Sequence, residues 1–572
     1  MVAESIYSQW SKNDLIKEIN KLRKRKKYGV VWDHEREPEK VVLLCKEKLP
    51  ILKESVNKSV LTNNKSVNHI LIEDDNFHTL SVLNYTHRNK VDVIYIDPPY
   101  NTGKKKEWKY NDRYVDKEDS YRHSKWLTLM SKRLSLARPL LKSGGMIFIS
   151  IDDNEIAQLK LVCDEIFGEK NLVANFIWRT AGNFDNQAKV KICHEYILCY
   201  AKDITKFQAP KIIDPNIDTT SKLYKEEIRN TIVKNGPKNP ISEVILPSGF
   251  PANFKEGVIK KRDDAWPQYS KSVKIKNNKT QSSVVVKSGW SSRNLLDLFI
   301  SSNFQPVIDT KGQDTIFELT SNGTIEVVKK RTESQSHVLS VLTNLGSTQN
   351  TSQFLKKNGI EFTYPKPVEL IKYLLSMSSN RNAVVLDFFA GSGTTAHAVL
   401  ELNSDDGGNR QFIVCTNNEN NICTNVCYPR IKQAICGFKH PVTEKHKGLG
   451  GNLRYFKTDF VDAEQTDKNK KKLVDHSTEM LCLKEGCYYE VLSSKDFRMF
   501  TDMNGRYLGI VYDDKGIAVA KKEIKKLNKK ISLFVFSLDE SAREEEFENI
   551  LDLVDIKPIP EVILNVYRRI FK

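Results

Sequence analysis

Four absences narrow what this chain can be. In 572 residues there is no run of about 18 consecutive apolar residues, so no membrane-spanning helix is expected. The opening segment, MVAESIYSQWSKNDLIKEINKLRKRKK, has no apolar signal core, and export is not expected. Cysteine is sparse and scattered: there are 10, with Cys423/Cys427 and Cys482/Cys487 as the tightest pairs. Neither spacing suits a zinc site and there is no disulfide-like density. Reduced thiols, a cytoplasmic location and no metal are expected. No G-x-x-x-x-G-K-[ST] stretch occurs. ATP hydrolysis and any nuclease or motor activity are therefore expected to belong to another chain.

What is present in excess is positive charge. Lys and Arg number 89 against 72 Asp and Glu, a formal net charge of +17. That excess suits a polyanionic partner. The Lys-, Asn- and Ile-rich composition of an AT-rich genome would also produce it, so charge alone does not establish nucleic acid as the partner. The hydrophobic fraction of 40% and charged fraction of 28% are ordinary for a globular protein. The length exceeds what one core usually serves, so two or three domains are expected.

Residues 1–40 read as an N-terminal helix and arm. Leu15, Ile16 and Ile19 form an apolar stripe over a helix spanning 1–27, and its basic end is either solvated or a phosphate contact. YGVVW (28–32) reads as a short strand or packing arm. From 41 to 203 the pattern is α/β. HILI (69–72) ends in EDDN, a helix covers 77–84, and VDVIYI (91–96) follows. Strand, acid, helix, strand is the βαβ rhythm of a parallel sheet. A polar loop (104–119) carries Trp108, Tyr110 and Tyr114, and an amphipathic helix (121–141) leads to MIFISI (146–151) and DDNE. Over 204–350 the rhythm breaks, and Phe250, Trp266, Tyr269, Trp290 and Phe304 stand isolated, as expected of an inserted mixed α+β domain. The α/β pattern resumes over 351–460. Residues 461–572 read as a smaller α+β domain, with hairpin-type turns at Asn504-Gly505 and Asp514-Lys515-Gly516.

Two strand ends carry chemistry. VDVIYIDPPYNTG (91–103) stops abruptly, because two prolines cannot extend a ladder and each fixes its own φ. The chain is held stiff past the carboxyl end of a strand, where open α/β sheets bind ligands. Asp97, Pro98, Pro99 and Tyr100 present a carboxylate, a rigid carbonyl and an aromatic face, a set that can grip the amino group and ring of a flat base. AVVLDFFAGSGTT (383–395) is a strand, a glycine-rich turn and a helix start. By itself it could be only a tight βα connection. Its spacing is D-x-x-x-G-x-G, not G-x-G-x-x-G, and Asn417, Asn418 and Glu419 at the next strand end can hold ribose hydroxyls. The turn suits a nucleoside without pyrophosphate, such as S-adenosyl-L-methionine, better than NAD.

In order, DPPYNTG, FTYPKPVELI and VLDFFAGSGTTAHAV resemble β-class amino-methyltransferases of DNA, in which the catalytic motif precedes the cofactor motif. The 290 positions from Asp97 to Asp387 leave room for a target recognition domain between them. KKYGVVWDHEREPE, ILIEDDNFHTL, ISIDDNE, HEYILCYAKD and KPIPEVILNVYRRIF resemble the modification subunits of type III restriction–modification systems. The resemblance implies a Rossmann-like methyltransferase fold with circularly permuted motif order. It places the catalytic half at 41–203, target recognition at 204–350 and the cofactor-binding half at 351–460. It implies methyl transfer from S-adenosyl-L-methionine to adenine N6 in double-stranded DNA by base flipping.

By the same resemblance Asp97 and the Pro98 carbonyl accept the two amino N–H groups, and Tyr100 stacks on the base. Phe388, Phe389, Ala390, Gly391, Ser392, Gly393 and Thr394 cradle the cofactor, with Asp387 as the opening acid. Lys366 and Pro367 cover its methionine end. Asp75 and Asn76 meet its adenine, although Asp74 stands where the family has glycine. Glu419 holds the ribose, with Asn417 and Asn418 as competitors. His194 and Glu195 begin a family-like block in which a strand-end structural role is preferred to a catalytic one. A homodimer, a helicase–nuclease partner and a DNA-associated bacterial location are also implied. The alternatives are a cytosine-N4 enzyme, which more often has Ser at the Asp97 position, an RNA or protein-glutamine methyltransferase, which usually has Asn there, a DNA-binding module without activity, and a stand-alone methyltransferase.

Overall fold

The apolar runs become the middle of a ten-stranded sheet. The computed structural model describes residues 11–24, 39–63, 66–102, 122–180, 189–218, 220–221, 227–310, 312–330, 337–439, 445–538, 541 and 543–571. In chain order the strands are β1 (Lys48–Glu54), β2 (Asn68–Glu73), β3 (Val91–Ile96), β4 (Leu141–Ile151), β5 (Leu172–Arg179), β6 (His194–Ala201), β7 (Val341–Leu342), β8 (Val384–Asp387), β9 (Gln411–Thr416) and β10 (Asn452–Asp462). Across the sheet they run β1-β10-β2-β9-β8-β3-β4-β6-β5-β7. The inner pairs from β10 to β4 are parallel. β1 on β10, β6 on β4 and β5 on β6 are antiparallel.

Parallel strands covered on both faces need apolar side chains in both directions. Accordingly Ile70, Leu71 and Ile72 of β2 and all of Phe412, Ile413, Val414 and Cys415 of β9 are buried. Helices of the chain include α1 (Lys12–Lys24), α2 (Lys40–Glu47), α3 (Asn76–Thr86), α4 (Arg122–Ala137), α5 (Ile156–Cys163), α6 (Val368–Ser376), α7 (Thr394–Asp406) and α8 (Tyr428–Cys436). Asp75 caps α3 by accepting the Phe77 N–H at 2.8 Å.

β2, α3 and β3 form the parallel crossover read from the sequence, but β9 and β8 lie between the two strands. β8 pairs directly with β3, Val385 opposite Val93 and Leu386 opposite Ile94. The ends carrying Asp97 and Asp387 are therefore neighbours. The 28–32 strand, the loop carrying Trp108, Tyr110 and Tyr114, and most of KKYGVVWDHEREPE lie outside the described residues.

The chain divides into two compact units, residues 1–208 with 340–572, and residues 209–339. The second contains small antiparallel sheets and the helix Arg293–Ser301. Its core includes Phe250, Phe299 and Phe317, with ring centroids 6.1 Å apart for Phe250–Phe299 and 5.5 Å for Phe299–Phe317. Tyr269 and Trp290 are buried there, whereas Trp266 is exposed.

Within the first unit, residues 489–559 add a five-stranded sheet. Asn504-Gly505 turns the antiparallel pair Phe497–Thr501 and Tyr507–Val511, as its hairpin chemistry suggested. Asp514-Lys515-Gly516 does not make a hairpin. It opens the helix Gly516–Leu527, which carries the chain to Ile531–Phe536, parallel to Tyr507–Val511. Ile517, Ala520 and Ile524 are buried at helical spacing, and that stripe outweighs the local turn preference.

Candidate functional site

At the end of β3 the proline pair releases the chain from the sheet, and a buried tryptophan then fixes it. Trp126 of α4 donates its indole N–H to the Pro99 carbonyl at 2.7 Å. The Pro98 carbonyl accepts no hydrogen bond among the described residues. Beside it, Lys366 Nζ lies 2.8 Å from both Asp97 Oδ1 and Oδ2 and 3.4 Å from Glu195 Oε2. The same ammonium stands 4.9 Å from the Tyr100 ring centroid, a cation–π distance. Tyr100 Oη lies 2.9 Å from Asp97 Oδ1 and 3.0 Å from Glu195 Oε2, so its single proton can serve either carboxylate. Burial pushes the Tyr100 hydroxyl well above its usual pKa, and the charges of Asp97 and Glu195 push it further. Burial alone would lower Lys366, but the two carboxylates outweigh it and hold the ammonium above the usual lysine range.

At the end of β8, Asp387 is 2% exposed, and its carboxylate is engaged inside the turn. Its Oδ1 accepts the Phe389 N–H at 2.9 Å and its Oδ2 the Thr395 hydroxyl at 2.5 Å. Burial pushes its pKa up to about 7 against those two hydrogen bonds. The two glycines of the turn differ. Gly391 has φ +52°, and among the described residues other than its chain neighbours a Cβ there would meet only the Phe389 carbonyl oxygen, at 3.8 Å. Gly393 has φ +79°, and its Cβ would stand 3.2 Å from Cys427 Sγ and 3.4 Å from Ile431 Cγ1. Protein thus packs against one side of the turn and leaves space on the other. Ser392 and Thr394 are buried on the packed side, with hydroxyls 2.9 and 2.8 Å from the Arg430 guanidinium. The Thr394 hydroxyl also lies 3.2 Å from the Lys366 carbonyl, which ties this turn to the lysine paired with Asp97.

A cavity of about 380 Å³ opens beside these strand ends. Asp75, Asn76, Pro99, Phe388, Phe389 and Glu419 line it, whereas Lys366, Pro367, Asp387 and residues 390–394 do not. Of the ribose competitors, Asn417 also lines it, whereas Asn418 accepts the Thr424 N–H at 3.1 Å. Asp74 does not take a positive φ, so backbone conformation does not call for glycine here, and its carboxylate lies 2.8 Å from His78 Nδ1.

The sequence did not point to Arg133, which organises the cavity wall. Its guanidinium hydrogen-bonds Asn76, lies 3.1 Å from Asp75 Oδ1 and 2.9 Å from Glu39 Oε2. Asn76 in turn donates to the Phe388 carbonyl at 3.0 Å. A charged residue in line with buried Trp126, Met130 and Ala137 on one face of α4 was the available signal. The volume is typical of small-ligand sites. The carboxylates of Asp75 and Glu419 and the aromatic side chains of Phe388 and Phe389 in the cavity wall fit an adenosine-like ligand. His194 is not part of the cluster, because its ring lies 3.0 Å from the Tyr196 hydroxyl instead. Glu195, whose place at a strand end favours a structural role, is part of it.

The chain is similar to several known proteins. The StyLTI Mod subunit, from a type III restriction-modification enzyme of Salmonella typhimurium, is 33% identical over 388 residues, covering 63% of this chain and 54% of that one. The EcoP15I Mod subunit of Escherichia coli is 30% identical over 403 residues, 64% of this chain and 60% of that one. The type II methyltransferase M.KpnI of Klebsiella pneumoniae is 29% identical over 362 residues, 62% and 82% respectively. The chain thus spans little more than half the length of these two Mod subunits. Residues 91–426, more than half of the 572 and holding both strand ends, match the family model N6_N4_Mtase, described as DNA methylase, and the chain belongs to that family.

Proposed function

We propose that this chain transfers a methyl group from S-adenosyl-L-methionine to N6 of adenine in double-stranded DNA, as the modification subunit of a type III restriction–modification system. The observation that carries this is the pairing of β3 with β8, which sets Asp97 beside the glycine turn next to a nucleoside-sized cavity. The methyl donor supplies an activated sulfonium carbon.

The chain's residues supply the geometry. An exocyclic amino group is a poor nucleophile while its lone pair is delocalised into the ring. Asp97 and the Pro98 carbonyl accept its two N–H groups, which draws the nitrogen towards tetrahedral geometry and localises the lone pair. Tyr100, its hydroxyl anchored, stacks on the base. The prolines and Trp126 keep these groups in place, so positioning contributes most of the rate. On the cofactor side Gly391 leaves room for close approach, Asp75 meets the adenine amine, and Glu419 takes a ribose hydroxyl. The base must leave the duplex to reach this site.

Residues 204–350, which contain the compact unit 209–339, read the target sequence, two copies of the chain act together, and a separate helicase–nuclease subunit cleaves unmodified DNA in the bacterial cytoplasm. Asp at position 97, rather than Ser, favours adenine over cytosine. Incubating the full chain with methyl-labelled S-adenosyl-L-methionine and unmethylated phage DNA, then digesting to nucleosides, tests the reaction. Label in N6-methyladenine is expected. Label in N4-methylcytosine, or none, would overturn the proposal.

A further inference from the structure

Glu195 lies near the start of β6, on a strand whose successive side chains alternate between faces. His194 and Tyr196 share one face and contact each other. Glu195 takes the other, its side chain 22% exposed, and reaches 95 positions back along the chain to Tyr100. A strand-end acid with only a structural task has no need of this contact. Two carboxylates converge on the Tyr100 hydroxyl, with Glu195 Oε2 at 3.0 Å and Asp97 Oδ1 at 2.9 Å competing for one proton. Lys366 stands between the two carboxylates and fixes the position of each.

We propose that Glu195 is a positioning residue: it draws the Tyr100 hydroxyl proton to itself and leaves Asp97 Oδ1 open to accept an amino N–H of the target base. This rests on the methyltransferase function proposed above. The physical reason is a limit on acceptors. An oxygen already taking the phenol proton and an ammonium N–H has less lone-pair density to offer a weakly acidic amine. When the phenol turns to Glu195, that density returns to Asp97 and the aromatic ring stays in one plane. Two carboxylates against one ammonium also leave a net negative charge where the methylated amino group becomes cationic.

The test is a double-mutant cycle in the full chain, with Glu195→Gln, Tyr100→Phe and both together. Methyl incorporation into unmethylated phage DNA is the readout, and S-adenosyl-L-methionine affinity by calorimetry checks that each variant is folded. Glu195→Gln is expected to lower kcat by about 10- to 100-fold, the size of effect that misplacement at a reacting centre produces. Its KM for the cofactor should change by less than about 3-fold, because the residue acts on the base side. Removing the hydroxyl removes the competitor for Asp97, so the double variant should turn over no more slowly than Glu195→Gln alone. Unchanged kcat in Glu195→Gln would overturn the proposal. So would losses that multiply in the double variant, as independent structural roles require, or loss of cofactor binding in Glu195→Gln. Absence of incorporation by the wild-type chain would overturn the methyltransferase function together with this inference, whereas an active wild type with an unaffected Glu195→Gln overturns the inference alone.

Discussion

Lys366 and Asp97 meet across 269 positions of chain, with Nζ 2.8 Å from each carboxylate oxygen. This ion pair joins the segment before α6 to the end of β3, so it links the two halves of the site. Lys366→Met would leave Asp97 and Glu195 as neighbouring carboxylates without their shared cation. Breaking a fully buried pair costs about 3–5 kcal/mol, and because these carboxylates keep some solvent the expected loss is about 1–3 kcal/mol by urea unfolding at neutral pH. Because folding raises the Lys366 pKa, the pair's stabilisation is fully present below the lysine's ordinary value of 10.5 and fades as pH rises above it. The wild type should therefore lose stability at high alkaline pH more steeply than Lys366→Met.

The two glycines of the cofactor turn should fail differently. Gly391→Val adds a side chain on the open side, where the nearest atom of the described residues beyond its chain neighbours would be 3.8 Å from its Cβ. It should fold, with about 1 kcal/mol of strain from its positive φ, and lose S-adenosyl-L-methionine binding in calorimetry. Gly393→Ala drives a methyl towards Cys427 and Ile431 at the same kind of φ. Its main effect should be on stability, about 1–3 kcal/mol by denaturant unfolding. Normal cofactor affinity in Gly391→Val would mean the ligand lies elsewhere.

Asp387 predicts a pH dependence of stability. Its folded pKa is raised to about 7 from an ordinary 3.8, so the folded state holds this proton more tightly than the unfolded chain. Its favourable contribution is complete below the unfolded value and is lost as pH rises through the folded one. Asp387→Asn removes that dependence at the expense of one internal hydrogen bond. The variant should be less stable than wild type near pH 4, with the gap closing or reversing by pH 8. The relative change is on the order of 2–4 kcal/mol. Parallel Tm–pH curves for the two proteins would contradict the assignment.

The parts of this structure that were legible in the sequence depend on neighbouring residues. The apolar runs at 70–72, 93–96 and 412–415 read as strands buried on both faces, and Pro98-Pro99 as the end of one. The lateral order was not legible, because nothing local in β2 and β3 says that β8 and β9 will insert between them. The same distance hid the partner of Glu195, since a strand-end acid facing inward looks like one facing water until Tyr100 is beside it. Arg133 was hidden inside an amphipathic helix pattern that reads as core. Asp514-Lys515-Gly516 has hairpin chemistry, and only the burial of Ile517, Ala520 and Ile524 against the neighbouring sheet makes it a helix start.

The proposed methyl transfer depends above all on Asp97 acting on adenine. The most direct measurement compares DNA from cells lacking other adenine methylation that express either the wild-type chain or Asp97→Ala, by nucleoside analysis and single-molecule sequencing. The expected result is N6-methyladenine in a single sequence context with the wild type and none with the variant, while purified Asp97→Ala still binds S-adenosyl-L-methionine. N4-methylcytosine in place of N6-methyladenine, or equal adenine methylation by Asp97→Ala, would contradict it.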